Sequence, residues 1–135
     1  MPLARVVRVG LAARVLSTAT AAFAYSDHVM SNLVPLHMLS AVAVLDSTLQ
    51  GWTLLDVPAT DPREFAFEVA FERPFAAAPI VQVAICGFDV GNQDCVRLRV
   101  RAADIHPGGF TLRAETWLNT QVWRVDVSWL AVGTA

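Results

Sequence analysis

Two tryptophans, Trp117 and Trp123, flank the polar stretch 118–121, and Arg97, Arg99 and Arg101 alternate through an earlier segment. An exposed indole beside a fixed guanidinium and a carboxylate suits a polyhydroxylated ring such as a sugar. The aromatic face covers the apolar C–H surface, and the charged groups make directional hydrogen bonds with hydroxyls. An exposed indole pair with no partner would leave a costly apolar patch in water, so a ligand or a protein partner is expected at that place.

Catalytic chemistry finds little support in the same chain. His28, His37 and His106 show neither an i, i+4 metal-ligand spacing nor a helical Glu partner. Ser128 lacks the flanking glycines of a nucleophile elbow. Glu64, Glu68 and Glu72 recur at every fourth residue within an alternating run. That spacing gives the wet face of a strand, with cross-strand pairing to Arg99 or Arg101, rather than an acid/base pair. Cys86 and Cys95 are too few for a disulfide framework and lack zinc-site spacing. No glycine-rich phosphate cradle and no glycosylation sequon occurs. The reading is a non-enzymatic protein with no cofactor and no metal.

Composition narrows the partners. The net charge is -2, and all 10 basic residues are arginines spread over the chain, which is not the basic field of a nucleic-acid binder. The hydrophobic fraction is 55%, yet no apolar run reaches the roughly 18 to 20 uncharged residues of a membrane span. A length of 135 residues accommodates one folded domain. Up to Asp27 the chain has no acidic residue and carries Arg5, Arg8 and Arg14 among Ala, Val and Leu clusters. A secretory signal would not place Arg14 in its apolar core, and an organelle transit peptide would share the acid-free character. The reading adopted is an irregular or partly helical extension over residues 1–45, followed by a domain over 46–135. Secreted and cytosolic locations both stay open.

The elements that would position the tryptophans and arginines have a period of two. In Glu64–Glu72, Phe65, Phe67, Val69 and Phe71 share one face and the three glutamates the other. Pro74 and Pro79 bracket a connector to a strand over Ile80–Cys86, and Gly87 and the polar stretch 89–94 supply a turn. A third strand, Cys95–Ala103, would turn Val96, Leu98 and Val100 inward and the arginines outward. After the turn His106–Gly109, whose two glycines tolerate positive φ, Phe110–Thr116 points Phe110, Leu112 and Ala114 inward. The last strand, Gln121–Val132, puts Trp123, Val125, Val127 and Trp129 on one parity, and Trp52–Leu55 makes the sixth. Short strands with hairpin-scale links predict an all-β, six-stranded antiparallel β-sandwich.

Several short pieces occur in a definite order: Gly51-Trp52, Val69-Ala70-Phe71, Pro74-Phe75, Pro79-Ile80-Val81, Phe88-Asp89, Val96-Arg97, Gly109-Phe110, Thr116-Trp117 with Asn119-Thr120, and Val127–Ala131. Over 51–133 this series resembles the H-type lectin domain, the snail-agglutinin and discoidin type. The resemblance implies a sandwich that trimerises, with sites for N-acetylgalactosamine or galactose between protomers. Position by position, it implies that Arg97 bonds sugar hydroxyls, that Trp117 lines the site, and that Trp123 takes the place of an aromatic that is usually tyrosine. Leu118 stands where the family often has histidine or another polar residue, which removes one hydrogen bond. The loop bearing the family's sugar-binding aspartate is shorter here; a gap-free count falls on Thr60, and Asp61 beside it is the residue chosen. The expected partners are therefore glycans and two further copies of the chain. The alternative is a protein-interaction or self-assembly module on the same sandwich with a degenerate sugar site.

Overall fold

The computed structural model describes residues 34–57, 61–91 and 95–135, so the reading of residues 1–33 as irregular or partly helical lies outside the described residues. The strands are β1 (Leu36–Asp46), β2 (Arg63–Ala70), β3 (Ile80–Val90), β4 (Arg99–His106), β5 (Gly109–Thr116) and β6 (Val122–Thr134). They form two three-stranded antiparallel sheets, β1-β6-β3 and β2-β5-β4. This is the expected six-stranded sandwich, with the core between the sheets.

The inward parities of β2, β5 and most of β6 hold. Phe110, Leu112, Ala114, Val125 and Val127 are fully buried. Phe71, Phe110 and Trp129 pack on one another in tilted and edge-to-face contacts with ring centroids 5.6 to 5.9 Å apart. Complete burial of a side chain such as Phe110 stabilises by about 1.5–3 kcal/mol.

Four local readings are corrected by the structure. Trp52–Leu55 is a turn segment instead of a strand: Gly51 has φ 86°, and the Trp52 indole N–H donates to the Val122 carbonyl at 2.8 Å. The sixth strand is β1, made from residues 36–46 and paired along its length with β6. Its outward residues Leu36, Met38, Val42 and Val44 are as apolar as its inward ones, so the alternation that marks a half-wet strand is missing from the sequence. Residues 95–98 precede β4 outside the ladder, and Val96 is exposed rather than inward. There the Arg97 amide donates to the Thr120 hydroxyl (3.2 Å) and the Thr116 hydroxyl to the Arg97 carbonyl (2.5 Å), so side chains replace ladder partners. Finally, Gly87 lies within β3, where the register jumps from Ile85↔Val127 to Gly87↔Asp126 and leaves Cys86 as the extra residue of a β-bulge.

The outer face of the β2-β5-β4 sheet carries charge in a compensated pattern. Its register sets Glu64 opposite Glu115 and Arg101 opposite Arg113, two like-charge pairs, and opposite-charge bonds within and across the strand pairs resolve both. Arg113 and Arg101 donate to Glu64 at 2.6 and 2.8 Å, and Arg99 to Glu115 at 2.6 Å. The expected pairing of the glutamate face with Arg101 is thus seen, while Arg99 serves Glu115. Burial by itself would raise the Glu64 carboxyl, but the bonds from Arg101 and Arg113 outweigh it and hold the group below its ordinary value. A depressed carboxylate stabilises the fold above its unfolded pKa and loses that contribution as pH falls through the folded one. Between about pH 5 and 3 the parent should therefore lose more stability than Glu64→Gln, on the order of 1 kcal/mol or less given the exposure of the pair, read as a larger fall in Tm. Parallel Tm curves for the two proteins over that range would refute the linkage.

Candidate functional site

At one end of the sandwich three segments meet: the β1–β2 link, the stretch 95–98 before β4, and the β5–β6 link. Side-chain to backbone hydrogen bonds knit them. The Thr120 hydroxyl donates to the Cys95 carbonyl at 3.1 Å and accepts from the Arg97 amide. Gln121 reaches the Leu55 carbonyl at 3.1 Å, and the Val122 amide the Leu54 carbonyl at 3.0 Å. These bonds fix loops that strand pairing alone would leave open, because each satisfies a backbone group with no ladder partner.

Arg97 lies inside this knot, half-buried, its guanidinium donating to the Cys95 carbonyl (2.9 Å) and the Asn119 side-chain oxygen (3.3 Å). The β5–β6 link that supplies Asn119 also carries Trp117, half-buried at the exit of β5, and Leu118. The structure thus brings Arg97 together with the Trp117–Thr120 loop. Leu118 has φ 54° and is 47% exposed. The left-handed region costs a leucine on the order of 1–2 kcal/mol and persists only where neighbours impose it.

Trp123 is reached differently. Its sequence parity groups it with the inward Val125 and Val127, yet it is 39% exposed, while Val122 before it is fully buried. The register with β3 passes from Asp89↔Arg124 to Val90↔Val122, so Trp123 is the extra residue of a bulge that turns it outward. A Cβ on Gly91 would come within 3.0 Å of the Trp123 ring, so this glycine lets the indole lie against the main chain. Asp61 is exposed in the bend before β2 and makes no side-chain hydrogen bond among the described residues; Thr60 lies outside them. The hydrogen bonds described for Arg97 run to Cys95, Thr116, Asn119 and Thr120. Cys86 and Cys95 are free and exposed. Among the described residues no cluster of His, Cys, Asp or Glu is arranged to hold a metal, and no helix is long and apolar enough to cross a membrane.

Sequence reasoning missed the residue that ties these loops together. Arg63, 8% exposed, donates from one guanidinium nitrogen to the carbonyls of Leu54 (3.3 Å) and Asp56 (2.5 Å), and from another to those of Leu118 and Thr120, each at 2.8 Å. A planar fork of fixed donors suits this task better than an ammonium group would. The available signal was parity: Arg63 sits on the same face of β2 as Phe65 and Phe67, which aims a charge inward.

Together these features define an antiparallel β-sandwich with one end closed by three hydrogen-bonded loops. The H-type lectin domain model matches residues 66–132. A protein described as "ATP synthase subunits region ORF 7" from Fuscovulum blasticum is 34% identical over 85 residues, 63% of this chain and 70% of that protein. Two solved structures of discoidin II from Dictyostelium discoideum share the fold at TM-score 0.63, with 21% and 22% identity over 74% and 78% of this chain. The chain spans 37% and 38% of those two chains, a little over a third of discoidin II. The chain belongs to the H-type lectin domain family, and that membership supports a carbohydrate-binding, non-enzymatic protein.

Proposed function

We propose that this domain binds glycans of the N-acetylgalactosamine or galactose type and does so multivalently, as a homotrimer. The observation that carries the reading is the loop end itself: an oriented Arg97 guanidinium joined to the loop that bears Trp117. The indole N–H groups of Trp117 and Trp123 have no acceptor among the described residues, which leaves two donors and two ring faces for a ligand. In this reading Asp61 and Arg97 hold hydroxyls, Trp117 and Trp123 shape the hollow, and Leu118 supplies an apolar contact. The apolar outer face of the β1-β6-β3 sheet, with Met38, Val42 and a 73% exposed Ile80, supports assembly of copies. Linked sites raise avidity by roughly 10² to 10⁴ over a single site.

Arg97→Ala should weaken retention on immobilised N-acetylgalactosamine about tenfold or more, since charge-assisted bonds contribute about 1.5–3 kcal/mol each. Its Tm should stay close to that of the parent, because the backbone bond to Thr120 remains. Unchanged retention would remove Arg97 from the site. A second reading, a protein-interaction or self-assembly module, is favoured by the exposed Leu118 and the same apolar sheet face. A silent glycan array together with a stable trimer by light scattering would decide for it.

A further inference from the structure

We propose that Arg63 is the positioning residue of the binding end, a clamp that holds Leu118 in its left-handed conformation and so sets the Trp117–Thr120 loop. This rests on the lectin reading for its functional consequence, but its geometry is independent of any ligand. Leu118 pays for φ 54° without a glycine's freedom, so something outside the residue must impose that angle. The carbonyls of Leu118 and Thr120 both accept from the same Arg63 nitrogen at 2.8 Å, which fixes the peptide planes following Leu118 and Thr120. The other terminal nitrogen is anchored on Leu54 and Asp56 across the β1–β2 link. One cation therefore joins two links far apart in sequence. Its partners are four backbone carbonyls and no carboxylate among the described residues, and its Nε is buried without a partner.

A charge taken from water for structure alone would be expected to meet a carboxylate. Here both terminal nitrogens are directed at the loops that carry the candidate ligand groups. Asn119, between the two clamped carbonyls, in turn accepts from Arg97, so the clamp reaches the proposed sugar-binding guanidinium through one residue. Lysine carries its three donors on one nitrogen and has no second donor atom to reach the other link.

The test is a double-mutant cycle on the full chain with two readouts: hydrogen exchange of the amides in 118–121, and retention on immobilised N-acetylgalactosamine. Arg63→Lys should speed exchange in the loop and weaken retention at least tenfold. In the Leu118→Gly background, where glycine takes positive φ unaided, the same Arg63→Lys change should cost at least threefold less in both readouts. A residue that only stabilises the fold would cost the same in both backgrounds, and equal losses overturn the clamp. Slow exchange retained in Arg63→Lys overturns it as well. If Arg63→Lys does not fold, Leu118→Gly alone decides: with the clamp intact, exchange at 119–121 should match the parent, and faster exchange shows that Leu118 holds the loop itself. If the parent is not retained on the resin while the exchange coupling appears, the lectin reading fails and the clamp stands.

Discussion

A chain cut to residues 46–135 is expected to show no cooperative unfolding transition by circular dichroism, whereas a chain starting at residue 34 keeps the parent's transition. The difference is β1, whose 11 residues pair with β6 from Leu36↔Thr134 to Asp46↔Arg124. Without it β6, the central strand of its sheet, becomes an edge with a row of unpaired backbone groups. The core loses Leu45, which is fully buried, and the packing of Leu39 and Ala43 against it. Burial of a leucine stabilises by about 1.5–3 kcal/mol, and native domains have only about 5–15 kcal/mol in total. Loss of one buried leucine, two partly buried neighbours and a full ladder takes most of that. A cooperative transition in the 46–135 fragment near the parent's Tm would show that β1 is dispensable and that the domain starts where the alternation starts.

Gly109→Ala should be the most damaging small substitution. Gly109 opens β5 opposite Ala70, and a Cβ there would overlap the Val69 carbonyl oxygen while standing 3.3 Å from the Ala70 Cα. Backbone cannot step aside as a flexible side chain can, so β2 and β5 must separate at this end. The separation would strain the bonds from the Phe71 amide to the Gly108 carbonyl and from the Phe75 amide to the Pro107 carbonyl, each 2.9 Å. The expected loss is about 3 kcal/mol, a fall in Tm of roughly 10 °C or more for a domain of this size. Gly108→Ala is the control: its Cβ would meet only the His106 ring at 3.4 Å, an ordinary contact. Thermal melts that place both variants within a degree or two of each other would contradict the steric account.

These two glycines also show what kind of information a sequence carries. The turn they occupy was visible, and both were expected to tolerate positive φ there. Neither adopts it; among the described glycines only Gly51 does, while Asp104 and Leu118 enter that region without a glycine's freedom. Gly109 is required by the closeness of another strand, which is a fact about pairing. The candidate site divides in the same way. Arg97, Trp117 and Leu118 were legible through residue type and family resemblance, and the structure joins Arg97 to the loop of the other two. Arg63 was not, because its four acceptors are main-chain carbonyls, and any residue type can present those.

From the chain alone came the all-β class, the inward faces of β2 and β5, the closing strand and the H-type lectin resemblance, because alternation and residue type are local and need no knowledge of the partner strand. Only the tertiary structure decided that residues 36–46 complete the sandwich, that Trp123 turns outward, and that one buried arginine ties the β1–β2 and β5–β6 links together. The reason is physical. A strand apolar on both faces has no visible period, a bulge is defined by the register of its neighbour, and a clamp on carbonyls exists only once two distant segments are side by side.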